Sequence, residues 1–147
     1  HYLPRRFSQA GIAMGLFDTF FSSVTGAVES LKTIKVEFEL RRRLTVLASD
    51  EATQDTPLRY FLRWAGQVQG VGFRFTNTNL AQPRITGWVR NMEDGSVEME
   101  IQGAPANILS HLEALHASYE RMGTRFRLVD AQVRAPLTNE DGFSPHY

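Results

Sequence analysis

The sequence contains no cysteine and no excess of charge of either sign. Its 147 residues include 16 lysines and arginines, which balance 16 aspartates and glutamates. The absence of cysteine excludes disulfides, thiolate nucleophiles and zinc–thiolate sites, and it is compatible with a reducing cytoplasm, the expected location. Because no basic surplus is present to neutralise a nucleic-acid backbone, nucleic acid is not an expected partner.

Long apolar runs and metal-ligand clusters are also missing. No stretch approaches the roughly 18 uninterrupted apolar residues of a membrane-spanning helix. The histidines are His1, His111, His116 and His146, and the one nearby pair is five positions apart, a spacing that does not place both on one helix face. We therefore expect surface histidines, no metal site and no cofactor.

Residues 1–57 are predicted to form an N-terminal extension. Met14 is a candidate start, which would make residues 1–13 upstream sequence. Alternation of apolar and charged residues over 34–40 predicts a half-buried strand, and the polar, turn-prone residues 48–57 predict a linker. Helical spacing over 15–32 predicts an amphipathic helix whose apolar side is formed by Leu16, Phe17, Phe20, Phe21, Val24, Val28 and Leu31.

The apolar side of the 15–32 helix requires a partner, because such a patch is rarely left in water. Docking on the following domain or self-association is the favoured interpretation. Binding to a membrane surface is the alternative. The polar side of the helix is rich in serine and threonine with one lysine, unlike the basic faces of most interfacial helices.

Residues 58–147 are predicted to form an α+β domain. Strands are expected over 59–68, 87–91, 96–101, 126–133 and 142–147, with helices over 73–81 and from Pro105 onward. Asp94-Gly95 predicts a hairpin turn between two of the strands. The order βαββαβ with an extra edge strand predicts a ferredoxin-like split βαβ sandwich, an antiparallel sheet with two helices on one face.

A glycine-rich loop joins the first strand of this domain to its first helix. Residues 66–74 read Gly-Gln-Val-Gln-Gly-Val-Gly-Phe-Arg. Glycine permits backbone turns in which successive amides point inward as an anion nest, next to a helix N-terminus. Arg74 adds a planar fork of donors suited to a phosphate. The loop therefore predicts a phosphate site that needs no metal, and the alternative is a tight turn with Arg74 on the surface.

Other glycine motifs fit this loop less well. A P-loop requires lysine and a hydroxyl residue after the last glycine, and Phe73 and Arg74 follow Gly72 instead. A dinucleotide-binding fingerprint requires a further glycine at the position of Phe75.

Taken together, the motifs of residues 58–147 resemble the acylphosphatase family. The 66–74 loop is similar to the family signature, with Gln67 where arginine is common. Gly87-Trp88-Val89-Arg90-Asn91 resembles the second family motif, Asp94-Gly95 its hairpin turn, and Gln102-Gly103 the glycine that follows the third strand.

The resemblance implies an enzyme that hydrolyses a small-molecule acyl phosphate to a carboxylate and inorganic phosphate. It implies that Arg74 binds the substrate phosphate and that Asn91 orients the attacking water. The assisting main-chain amides are those of Gln69, Gly70, Val71, Gly72 and Phe73. Two alternatives stay open: Asn91 as a residue that caps the hairpin turn, and the domain as a non-catalytic or weakly active anion-binding regulatory module.

Overall fold

The computed structural model describes residues 34–69, 72–81, 84–121 and 123–147, together with Val24. Val24 is helical and half-buried. The rest of the predicted 15–32 helix and the upstream residues 1–13 lie outside the described residues, and so do Gly70 and Val71 of the glycine-rich loop.

Residues 34–49 form a helix, here called α1, so the predicted strand over 34–40 is wrong. Alternation over seven residues fits a strand, but the burial follows a helical spacing. Leu40 and Leu44, one turn apart, are the buried residues, and they lie in the main hydrophobic core. Because α1 extends to residue 49, the turns that lead into the next strand occupy residues 50–57 rather than 48–57.

Glu37 attaches α1 to the rest of the domain. Its carboxylate accepts a 3.0 Å hydrogen bond from Arg41 Nε one turn away and lies 2.6 Å from His116 Nε2. Burial tends to raise the pKa of Glu37, but His116 and Arg41 outweigh it and lower the pKa below its usual value. Docking is therefore observed for α1, whereas docking of the 15–32 helix remains a prediction.

Five strands form one sheet in the order β4-β1-β3-β2-β5. Neighbouring strands are antiparallel except β2 and β5, which run parallel, so the sheet is mixed rather than purely antiparallel. The elements are β1 Leu58–Gly66, α2 Phe73–Leu80, β2 Thr86–Asn91, β3 Val97–Gly103, α3 Pro105–Glu120, β4 Phe126–Arg134 and β5 Phe143–His146. The predicted ferredoxin-like βαββαβ order with an edge strand is confirmed.

The core lies between the sheet and the helices. Alternate residues of β1 point into it, and α3 adds a buried stripe at helical spacing. The fully buried members on these two elements are Leu62, Trp64, Ile108, Leu112, Leu115 and Tyr119. The ring of Phe73 lies 5.6 Å from that of Tyr119 and 5.2 Å from that of Phe126, which fixes the first residue of α2 in the core.

A buried arginine on the opposite face of the sheet binds the segment that precedes β5. The side chain of Arg59 is 1% exposed and donates two hydrogen bonds to the Glu140 carboxylate, at 2.7 and 3.1 Å. It also pairs with Glu100 on β3. Hydrogen bonding to Arg59 lowers the pKa of Glu140. The segment before β5 is thereby tied to the centre of the sheet, and β5 in turn reaches the site described next.

Candidate active site

A cavity of about 430 Å³ lies where the β1–α2 loop, the end of β2 and the end of β5 meet. Arg74 and Asn91, the two predicted catalytic residues, both line it, although they come from different elements. The other lining residues are Val68, Gly72, Phe73, Thr78, Pro145 and Tyr147. The structure thus brings the predicted pair into one cavity and adds the end of β5, which the sequence did not point to.

The loop enters α2 through Gly72, whose φ of +74° is in the left-handed region that favours glycine. The first-turn amides of a helix have no intrahelical acceptor, and they give its N-terminus a partial positive charge. The first turn of α2 carries no acidic side chain. Gly72, Phe73 and Arg74 line the cavity, so the partial positive charge at the start of α2 lies where it would favour an anion.

The beginning of the loop is fixed against the segment before β4. Gln67 N donates to Arg125 O at 2.8 Å, and Arg125 N donates to Gln67 Oε1 at 2.8 Å. Gly66 has a φ of +103°, and a Cβ there would lie 2.9 Å from Arg125 O. A side chain at position 66 would therefore force the loop away from β4.

The Gln69 side chain ties the loop to the β2–β3 turn. Its Nε2 donates to Met92 O at 2.7 Å and to Ser96 O at 2.8 Å. Met92 follows Asn91, so these bonds hold the loop beside the end of β2. The sequence prediction assigned Gln69 only a main-chain amide and missed this role, for which a single sequence contains no signal.

Arg74 is held by β5 and the residue after it. Its Nη1 donates to His146 O at 3.1 Å, and its Cζ lies 4.4 Å from the centre of the Tyr147 ring. A guanidinium has five N–H donors, and among the described residues His146 O is the one hydrogen-bond acceptor of the Arg74 side chain. The remaining donors are available to a phosphate that enters the cavity.

Asn91 lines the same cavity, and its side chain contains a buried oxygen. Its Oδ1 has no hydrogen-bond partner among the described residues, although the atom is buried. Such an oxygen can accept a hydrogen bond from a bound water. The β2–β3 turn is instead closed by Asp94, whose Oδ1 accepts from Ser96 N at 2.9 Å. Within the described residues, the side-chain hydrogen bonds of the turn do not involve Asn91, which favours a role in the cavity over capping.

Within the described residues, no group of three or more histidines, aspartates or glutamates is placed to hold a metal ion. Over the same part of the chain, no helix has both the length and the apolar character required to cross a membrane.

Comparison with known proteins identifies the family. A sequence profile described as acylphosphatase matches residues 60–145, more than half of the chain. The chain belongs to the acylphosphatase family. The acylphosphatase of Clostridium beijerinckii is 35% identical over 94 residues, which cover 61% of this chain and 99% of that protein. That of Synechococcus sp. (strain CC9902) is 33% identical over 117 residues, covering 73% of this chain and 96% of the relative.

A shorter match and two solved structures complete the comparison. The acylphosphatase of Salinibacter ruber is 47% identical over 62 residues, 42% of this chain and 65% of that protein. The HypF protein of T.kodakarensis superposes with a TM-score of 0.53 at 24% identity, over 61% of this chain and 12% of that protein, which shows the fold. The Bacillus subtilis acylphosphatase gives a TM-score of 0.49 at 30% identity, over 61% of this chain and 99% of that chain.

Family membership confirms the resemblance predicted for residues 58–147. The profile match begins at residue 60, so α1 lies before the part of this acylphosphatase-family chain that the family profile covers. Leu40 and Leu44 of α1 nevertheless share the core of that domain. The division of the chain at residue 57 therefore remains a prediction, because part of the predicted extension packs as an integral element.

Proposed function

We propose that this chain hydrolyses acyl phosphates to a carboxylate and inorganic phosphate, with Arg74 and the amides at the start of α2 binding the phosphoryl group. One observation carries the proposal: Arg74, the start of α2 and Asn91 all line the same cavity. Membership of the acylphosphatase family supports the reaction.

Binding of the phosphoryl group follows from the charges at the site. The α2 N-terminus contributes unpaired amides, and Arg74 contributes a guanidinium that β5 already holds in place. Both groups stabilise the negative charge of the phosphoryl oxygens. In the transition state of phosphoryl transfer, this charge is spread over those oxygens. An acyl phosphate already contains a good leaving group, so positioning and charge stabilisation are the main tasks of the protein.

Asn91 would orient the attacking water. Its buried Oδ1 accepts a hydrogen bond from the water, which attacks phosphorus opposite the carboxylate. The new bond joins the water oxygen to phosphorus. The bond between phosphorus and the acyl oxygen breaks, and the carboxylate leaves with its electron pair. A neutral amide can hold this water beside a phosphate dianion, whereas a carboxylate would repel the dianion.

The proton of the water passes to a phosphoryl oxygen of the substrate, so the mechanism needs no side-chain base. We propose that the reaction also needs no metal or cofactor, since the positive charge comes from Arg74 and from main-chain amides. A cytoplasmic location is part of the proposal, and the cysteine-free sequence is compatible with it.

The alternative is an anion-binding module without catalysis. It would keep the phosphate contacts of Arg74 and lose turnover. The position of Asn91 on the wall of the cavity that Arg74 lines favours the enzyme, because phosphate binding alone gives no use for a neutral amide that can hold a water.

Steady-state hydrolysis of benzoyl phosphate tests the proposal with two matched variants. Arg74→Ala should lower kcat/KM by on the order of 10²-fold or more, the usual cost of removing a preorganised donor from a transition state. Arg127→Ala removes an exposed arginine of β4 and should leave the rate unchanged. An Arg74→Ala protein as active as Arg127→Ala would contradict the assignment, and a wild type that binds phosphate without turnover would establish the binding module.

A further inference from the structure

A buried polar pair lies between α2 and α3, behind the phosphate site. Asn77 of α2 is fully buried and His111 of α3 is 3% exposed. The His111 Nε2 lies 2.9 Å from Asn77 Oδ1. The Asn77 Nδ2 donates to Phe73 O at 2.8 Å. His111 was predicted as a surface histidine, and that prediction is wrong, since the ring closes the interface between the two helices.

The network sets the direction of each hydrogen bond. Because Asn77 Nδ2 donates to Phe73 O, its Oδ1 faces His111, and His111 must donate through a protonated Nε2. The His111 Nδ1 is buried and has no partner among the described residues. Burial lowers the pKa of His111 to about 4, so the ring is neutral near neutral pH. A continuous chain of hydrogen bonds therefore runs from His111 of α3 through Asn77 to Phe73, the first residue of α2.

His111 also touches the second element that holds Arg74. Its ring centre lies 5.7 Å from that of Phe143, the first residue of β5. β5 ends at His146, whose carbonyl oxygen accepts the hydrogen bond from the Arg74 guanidinium. The backbone of Arg74 is set by α2 and its guanidinium by β5, and His111 packs where these two elements meet.

We infer that His111, acting through Asn77, is a positioning residue for the phosphate site. It holds the start of α2, with the amides and the side chain of Arg74, at the distance from Asn91 that hydrolysis requires. The inference rests on the proposed function. A second contact, from Tyr119 OH to Thr76 Oγ1 at 3.1 Å, keeps α2 attached to α3 when His111 is changed, so the expected defect is a shift of α2 rather than its detachment.

Two substitutions at position 111 separate positioning from packing. His111→Phe keeps a planar ring but removes the donor, which leaves Asn77 Oδ1 buried without a partner. His111→Gln keeps an N–H donor near the place of Nε2. Each is assayed with benzoyl phosphate near neutral pH, at a temperature where circular dichroism shows that the protein is folded. The affinity for inorganic phosphate is measured by calorimetry.

The inference predicts that His111→Phe lowers kcat/KM by about tenfold or more and weakens phosphate binding, since misplacement by about 1 Å can cost 10²-fold. His111→Gln should stay within about threefold of the wild type on the same argument. Equal losses in both variants, or no loss in His111→Phe, would overturn it. If the wild type does not hydrolyse benzoyl phosphate, the proposed function fails, and the phosphate affinities of the two variants still decide the inference.

A double-mutant cycle tests whether His111 acts through Asn77. Asn77→Leu removes the acceptor, so His111→Phe in that background should change kcat/KM by less than about threefold. The double variant also replaces both polar partners by apolar groups. If the contact between His111 and Asn77 served only stability, this double replacement would restore the stability and with it kcat/KM. A double variant with wild-type kcat/KM, or losses that multiply across the cycle, would overturn the inference, and this arm remains decisive if His111→Phe alone does not fold.

Discussion

Acidification should destabilise this protein through His111 before its carboxylates are protonated. Burial lowers the pKa of His111 from the ordinary 6.5 to about 4. The unfolded chain therefore binds a proton at pH values where the folded one does not, and the free energy of unfolding falls as the pH drops through this window. Each pKa unit corresponds to about 1.4 kcal/mol. The free energy of unfolding should therefore fall by about 3 kcal/mol once the pH reaches about 4.

Protonation of the acidic groups also lowers the free energy of unfolding, but at lower pH values than the titration of His111. The pKa values of Glu37 and Glu140 are lowered in the folded protein, so their contributions are lost as the pH falls below the ordinary carboxyl range. A variant that lacks only the His111 titration separates these contributions.

His111→Gln serves as that variant, since an amide keeps the donor to Asn77 and does not titrate. Urea denaturation, followed by tryptophan fluorescence, gives the free energy of unfolding of both proteins from about pH 7 to about pH 4.5. The wild type should lose about 2 kcal/mol more than His111→Gln over that interval. Curves that run parallel within about 0.5 kcal/mol would refute the buried neutral histidine and the hydrogen-bond direction assigned to it.

Three further predictions concern the site, α1 and the absence of a metal. Asn91→Ala should lower kcat more than it raises KM, and Asn91→Asp should lower it further because a carboxylate repels the phosphate; kinetics of both variants with benzoyl phosphate check this. Leu44→Ala should lower the free energy of unfolding by about 2–5 kcal/mol with kcat nearly unchanged, whereas a change below about 0.5 kcal/mol would show that α1 does not belong to the core. Exhaustive chelation should leave the rate unaltered, and a rate that returns only with added Mg²⁺ or Zn²⁺ would contradict the mechanism.

The sequence sufficed for the fold of residues 58–147 because local signals and the global arrangement agree there. Asp94-Gly95 closes the predicted hairpin, with a φ of +91° at Gly95. The apolar spacing after Pro105 places Ile108, Leu112 and Leu115 in the core. The loop around Gly72 was located by its glycines, which the left-handed conformation explains.

Features that depend on tertiary contact could not be predicted. The 34–40 segment alternates like a strand, and only the packing of Leu40 and Leu44 against the domain selects a helix. His111 lies on the apolar side of α3, but its partner Asn77 is 34 residues away in sequence. The side-chain bonds of Gln69 likewise depend on a turn that folds back from β2. Each of these is set by a neighbour that a single sequence does not reveal.

The fate of the water oxygen tests the central claim most directly. Wild-type protein is allowed to hydrolyse benzoyl phosphate in ¹⁸O-labelled water, and the products are separated and weighed by mass spectrometry. If Arg74 holds the phosphoryl group while Asn91 directs water onto phosphorus, the label appears in inorganic phosphate and benzoate stays unlabelled. Label in the benzoate would place the attack at the acyl carbon, and the arrangement of Arg74 and Asn91 proposed for this cavity would then be wrong.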